Sequence, residues 1–288
     1  MNHSPLKTLF GVVLVAYLFA CLVFVFIASH IGYQPLLGKP SISPIVHLPD
    51  FSTYANVKEK KAAFFAYLRP LIEAENAQIV VERDQLTQIK ESWEQTNNLT
   101  SKQQAALDDL LSKYDVDPEF EPAKQFDRLM LKVNIIPPSL VLAQAANESA
   151  WGTSRFAREG NNLFGQWCFT KGCGIVPKLR DEEAFHEVRR FNSPAESIAS
   201  YCRNINTHNA YKGLRKIRAE LSQNGQTISG YKLAAGLNSY SERGETYIEE
   251  LRDMMRTNRL EPGIPKRVKP APKQDGEQNP TPVEVKPD

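Results

Sequence analysis

From Leu9 to Ser29 the chain runs 21 residues without a charge, enough to cross a bilayer as a helix. Lys7 precedes the run and no Lys or Arg follows until Lys39, a bias that places the N-terminus in the cytoplasm and the rest outside. The run is longer than the apolar core of a cleaved signal peptide, so residues 1–30 read as a cytoplasmic tip and an uncleaved anchor in the cytoplasmic membrane. Pro35, Pro40, Pro44 and Pro49 then mark an extended stalk over 31–56. From Val57 to about Tyr114 apolar residues recur at three and four with charges between, the period of amphipathic helices. Pro70 predicts a kink or break near Arg69. This helical region, 57–136, closes with a helix near 124–133 and a diproline stop.

Past Pro137 and Pro138 the pattern predicts a helix through "SLVLAQAANESAW", ending near Gly152. "EGNNLFGQW" reads as loop, and "GIVPKLRDEEAFHEVRRF" as a β-hairpin. Ser193 with Glu196 three residues on has the capping-box spacing that opens a helix, and two more helices are predicted over 212–223 and 244–258. The last 28 residues hold seven prolines and five charges of each sign, too little apolar surface for a core. The fold class is α+β and mainly helical, with a small β-hairpin lobe behind an anchor and a helical region.

A net charge of +2 offers no electrostatic reason to invoke nucleic acid. Cys21 lies in the apolar run, Cys202 is alone, and Cys168 and Cys173 are placed to close a small disulfide loop outside the membrane. No metal is expected, because no His or Cys cluster joins that pair, and His186 and His208 are isolated. No cofactor is suggested either.

The position of chemical interest is Glu148. Residues three, four and seven before it are Ala145, Gln144 and Val141, so the carboxyl emerges from a largely buried helix at its C-terminal end. Desolvation and the partial negative charge of that end both disfavour the carboxylate, as a general acid for glycosidic cleavage requires. A buried glutamate that fixes a turn by hydrogen bonding is the structural alternative.

The stretch "LVLAQAANESAWGTSRFAREGNNLFGQW", Leu140 to Trp167, resembles the core motif of bacterial endo-β-N-acetylglucosaminidases, found in flagellar muramidase-like proteins and autolysins. The matching residues are Ala143, Gln144, Ala145, Ala146, Glu148, Ser149, Trp151 and Gly152, then Asn161, Asn162, Leu163, Phe164 and Gly165. The resemblance implies a lysozyme-like catalytic domain over 137–260, peptidoglycan glycan strands as substrate and Glu148 as catalytic acid, while composition makes 261–288 a disordered tail. Tyr211 matches a tyrosine that lies near substrate in relatives, with packing as its other reading. Trp151 and Phe164 either stack on sugar or pack the helix end and loop, and Asn162, like Asn161, shapes its loop. Relatives often place a second acid on the first hairpin strand, and "GIVPKLR" has none. The candidates become Asp181, Glu182, Glu183 and Glu187, with Glu187 first and Glu182 second, or the substrate's own 2-acetamido group. A lytic transglycosylase and an inactive wall-binding scaffold are the rival readings.

Overall fold

The computed structural model describes residues 47–178, 180 and 185–265. The apolar run over 9–29, the stalk as far as residue 46, the tail from 266 and Asp181, Glu182 and Glu183 of the hairpin turn lie outside the described residues. Among the described residues no helix is long and apolar enough to cross a membrane.

The first long element is α1 (Val57–Thr96), started by Asn56, whose side chain accepts from the N–H groups of Lys58 and Glu59. Its buried stripe runs Phe64, Leu68, Leu71, Ile72, Asn76, Ile79, Glu82, Leu86 and Ile89, the three-and-four spacing of one helical face. Pro70 sits inside this helix and does not end it, so of the kink or break expected near Arg69 the break does not occur. A helix-interior proline costs about 3 kcal/mol. Here Pro70 and Ala66, whose carbonyl loses its usual donor, are exposed, which leaves that residue accessible to solvent. Leu68, Leu71 and Ile72 beside it are buried, each contributing about 1.5–3 kcal/mol. Tertiary burial outweighs the local break.

A capping box at Thr100 and Gln103 opens α2 (Ser101–Lys113), and Pro122 starts α3 (Pro122–Lys132). Then comes α4 (Pro138–Glu148), buried from Ser139 to Ala146 and packed by α1 and by two later helices. α5 (Arg155–Gly160) leads into a three-stranded antiparallel sheet, β1 (Trp167–Cys168), β2 (Gly174–Ile175) and β3 (Glu187–Arg189), in the order β1-β3-β2. The predicted hairpin is β2 with β3; the extra strand β1 pairs Trp167 with Val188 inside the stretch read as loop. The chain ends in α6 (Pro194–Thr207), α7 (Lys212–Gln223), the short α8 (Gly230–Leu233) and α9 (Glu245–Thr257).

One hydrophobic cluster runs from Phe51 to Leu260, so the helices before residue 137 share a core with those after it. The segment leading into α4 is fastened by side chains rather than by regular structure. Asn76 donates to Ile136 O and accepts from Ile136 N. Arg218, fully buried, donates to the carbonyls of Leu131, Lys132, Asn134 and Ile135 and to Asn206 Oδ1. Glu261 accepts from the hydroxyls of Ser139 and Ser229 and from Gly230 N, tying α4 and α8 at their first turns. Glu148 is thus carried at the far end of a helix anchored at its start.

Candidate active site

α4 ends at Glu148 because Ser149 turns back on it. Its hydroxyl donates to Ala145 O at 2.6 Å and accepts from Gly152 N at 2.8 Å. Ala150, Trp151 and Gly152 follow with φ of 50°, 61° and 76°. Left-handed backbone costs a side-chain-bearing residue about 1–2 kcal/mol, and it persists only where the surroundings enforce it. At Gly152 a Cβ would also stand 2.7 Å from the Phe51 ring, so glycine is required there.

Glu148 is half-buried. Its Oε1 accepts from the Tyr247 hydroxyl at 2.8 Å and from Asn147 Nδ2 at 3.3 Å. Tyr247 in turn accepts from Gln144 Nε2 at 2.9 Å, and Gln144 Oε1 accepts from the Tyr201 hydroxyl. The direction of this relay is set by Gln144. Its amide N–H must donate to Tyr247, so the Tyr247 proton is left to point at Glu148. Among the described residues Oε2 of Glu148 has no hydrogen-bond partner.

Tyrosines enclose the carboxyl. Tyr240 stacks on Tyr247 at 5.5 Å, and Tyr211 lies 6.0 Å from Tyr240. Burial is the largest cause holding Tyr201, Tyr211, Tyr240 and Tyr247 above the ordinary phenol value, and the charge on Glu148 adds to it in each. All four hydroxyls remain protonated donors at neutral pH.

Other residues singled out in the sequence are placed as follows. Trp151 packs edge-on against Phe64 and Phe65 at 5.8 and 5.2 Å, with Lys61 over its ring, so it belongs to the contact with α1. Phe164 is buried and stacks on Tyr201 at 4.1 Å. Asn162 donates to Gln166 O and Arg189 O and accepts from the N–H groups of Phe164 and Gln166, which binds its own loop to β3. Asn161 ends α5 at φ 52° and donates to Phe191 O. Tyr211 is buried in the tyrosine group. His186 stacks on Trp167, and His208 accepts from Ala210 N.

Glu187, the expected second carboxylate, is engaged elsewhere. It is buried, and its two oxygens accept from Gly172 N at 3.0 Å and Gly174 N at 2.7 Å. Those two N–H groups hold its carboxyl below the ordinary range. It shares the sheet lobe with the disulfide Cys168–Cys173 and secures the loop that the disulfide closes. Sequence reasoning missed Tyr201, Tyr240 and Tyr247, which lie 53 to 99 residues beyond Glu148 on other elements. No periodicity links them to it.

A carboxyl at the end of a buried helix, with one oxygen held by a neutral donor and one without a partner among the described residues, is a group of the kind glycoside chemistry uses. The family model described as "Mannosyl-glycoprotein endo-beta-N-acetylglucosaminidase" matches residues 123–260. Over 215 residues the chain is 34% identical to "Protein bax" of Escherichia coli strain K12, covering 73% of this chain and 74% of that protein. The chain belongs to the glucosaminidase family. The crystal structure of the catalytic domain of the autolysin Auto from Listeria monocytogenes is 17% identical, with a TM-score of 0.38 over 73% of this chain and 90% of that one.

Proposed function

We propose that the chain is a peptidoglycan hydrolase, an endo-β-N-acetylglucosaminidase that cleaves β-1,4 bonds after N-acetylglucosamine, with Glu148 as general acid. The observation that supports this reading is the asymmetry of the carboxyl: Tyr247 holds Oε1 and leaves Oε2 open to carry the proton. In the reaction Oε2 delivers that proton to the departing glycosidic oxygen as the bond to the anomeric carbon breaks. Tyr247 then steadies the carboxylate that is left. Water completes the reaction, assisted either by an acid of the hairpin turn, Glu182 first, or by the substrate's 2-acetamido group. The apolar run over 9–29 anchors the enzyme in the bacterial cytoplasmic membrane, with the catalytic domain outside.

Glu187 is the reason to keep a second reading. With its oxygens committed to Gly172 and Gly174, Glu148 becomes the principal carboxyl, as in a lytic transglycosylase. The detergent-solubilised full chain, incubated with purified peptidoglycan, separates these readings by the mass of the product ends. New reducing N-acetylglucosamine ends support the glucosaminidase, and anhydro-muramic ends support the transglycosylase. Glu148→Gln should abolish release while leaving the fold intact, since the amide oxygen still accepts from Tyr247. A Glu148→Gln variant with full activity refutes the assignment, and wild type that sediments with the wall without cutting it points to a scaffold.

A further inference from the structure

A cavity of about 900 Å³ opens between α3, α7 and the 115–120 loop. Its walls are of two kinds. Val116, Phe120 and Leu131 supply an apolar side. Five basic side chains, Arg128, Lys132, Lys212, Arg215 and Lys216, face three acidic ones.

The three acids offset the five bases only in part. Glu220 lies 3.9 Å from Lys216, and Asp117 accepts from Glu119 N at 2.9 Å. Lys132 donates to the carbonyls of Tyr114 and Asp115, and Arg215 to those of Ile205 and His208. Among the described residues Arg128, Lys132, Lys212 and Arg215 form no ion pair with a carboxylate. Burial lowers Lys132 from the usual lysine range; Asp115 opposes this, and Arg215, Arg128 and Lys212 add to the lowering. Cations so placed repel one another and favour an anion between them.

The apolar wall argues against a bare inorganic anion, and the volume is that of a small-ligand site. Asn209 and Lys212 line the cavity and flank Tyr211, whose ring lies 6.0 Å from that of Tyr240 in the tyrosine group around Glu148. We propose that it binds the carboxylate-bearing peptide stems of peptidoglycan, a second contact to the polymer that Glu148 cuts; this inference rests on the substrate class proposed above. A stem offers carboxylates for Arg128 and Lys212 and short alkyl groups for Val116 and Leu131.

The test is titration of a free stem tetrapeptide into the detergent-solubilised full chain, in wild type and in Arg128→Gln/Lys212→Gln. Both side chains are exposed, so the double variant should melt as wild type does. Saturable, salt-sensitive binding that weakens at least about fivefold in the variant is expected. Wild type should also digest intact peptidoglycan faster than glycan stripped of stems, a preference the variant loses. The proposal is overturned by absent binding, by equal binding in the variant, or by equally tight binding of a poly-glutamate peptide, which marks a general acidic-protein site. Peptide binding without any glycan cleavage refutes the enzymatic reading alone; cleavage without peptide binding refutes this one alone.

Discussion

Tyr247→Phe removes a single oxygen from the centre of the relay. The ring keeps its stack on Tyr240 at 5.5 Å and its place beneath the Arg243 guanidinium at 5.4 Å, so packing is unchanged. Two hydrogen bonds vanish, the one to Glu148 at 2.8 Å and the one from Gln144 at 2.9 Å. Gln144 is fully buried, and an amide N–H left there without an acceptor costs about 1–3 kcal/mol. For a domain of this size that lowers the melting temperature by roughly 2–12 °C. A donor to a charged carboxyl is worth about 1.5–3 kcal/mol, so losing it at the reacting group should lower kcat by roughly 10- to 150-fold. Release of reducing ends from purified peptidoglycan gives kcat, and a calorimetric scan gives the melting temperature. Tyr201→Phe is the comparison, since it disturbs Gln144 without touching Glu148. A Tyr247→Phe enzyme with wild-type turnover would refute the relay, as would a loss no greater than that in Tyr201→Phe.

Two further expectations concern the scaffold. Arg218→Met removes a buried donor from four carbonyls and Asn206 Oδ1; Asn134 O keeps Asn206 Nδ2 and Lys132 O keeps Asn134 N, while the others lose the guanidinium, so chemical denaturation should show a loss of about 3–5 kcal/mol; a change under about 1 kcal/mol contradicts this role. Glu187 has its carboxyl held below the ordinary value of 4.5, so its stabilisation of the lobe is complete above that value and is lost as pH falls beneath it. The protection factors of the Gly172 and Gly174 amides, taken against their intrinsic exchange rates, should therefore fall as pH drops through the acid range below 4.5 in wild type and be low at every pH in Glu187→Ala. Protection factors that stay constant with pH in wild type sink that reading.

Helices were the most legible part of the chain. The helix over 212–223 appears within the predicted bounds, and that over 245–257 within one residue, because both carry strong apolar periodicity. Pro70 misled because its cost is local and foreseeable while the burial that outweighs it comes from helices distant in sequence. The two-residue strand β1 is too short to have a period, and only its partner Val188 makes it a strand. Glu187 was correctly placed on a strand, yet its role depended on two backbone N–H groups that no side-chain pattern encodes.

By itself the amino-acid sequence determined the elements of this protein and the carboxyl at the end of its most buried helix. Periodicity and the linked "AQAANESAWG" and "NNLFG" blocks are local properties, readable wherever neighbours in sequence act together. Tertiary structure alone decided who meets that carboxyl. Tyr247 reaches Glu148 across 99 positions, Tyr201 reaches Gln144 across 57, and the basic cavity gathers residues from helices far apart in the chain. Hydrogen bonds and charges act over a few ångströms of space, and chain distance does not enter them.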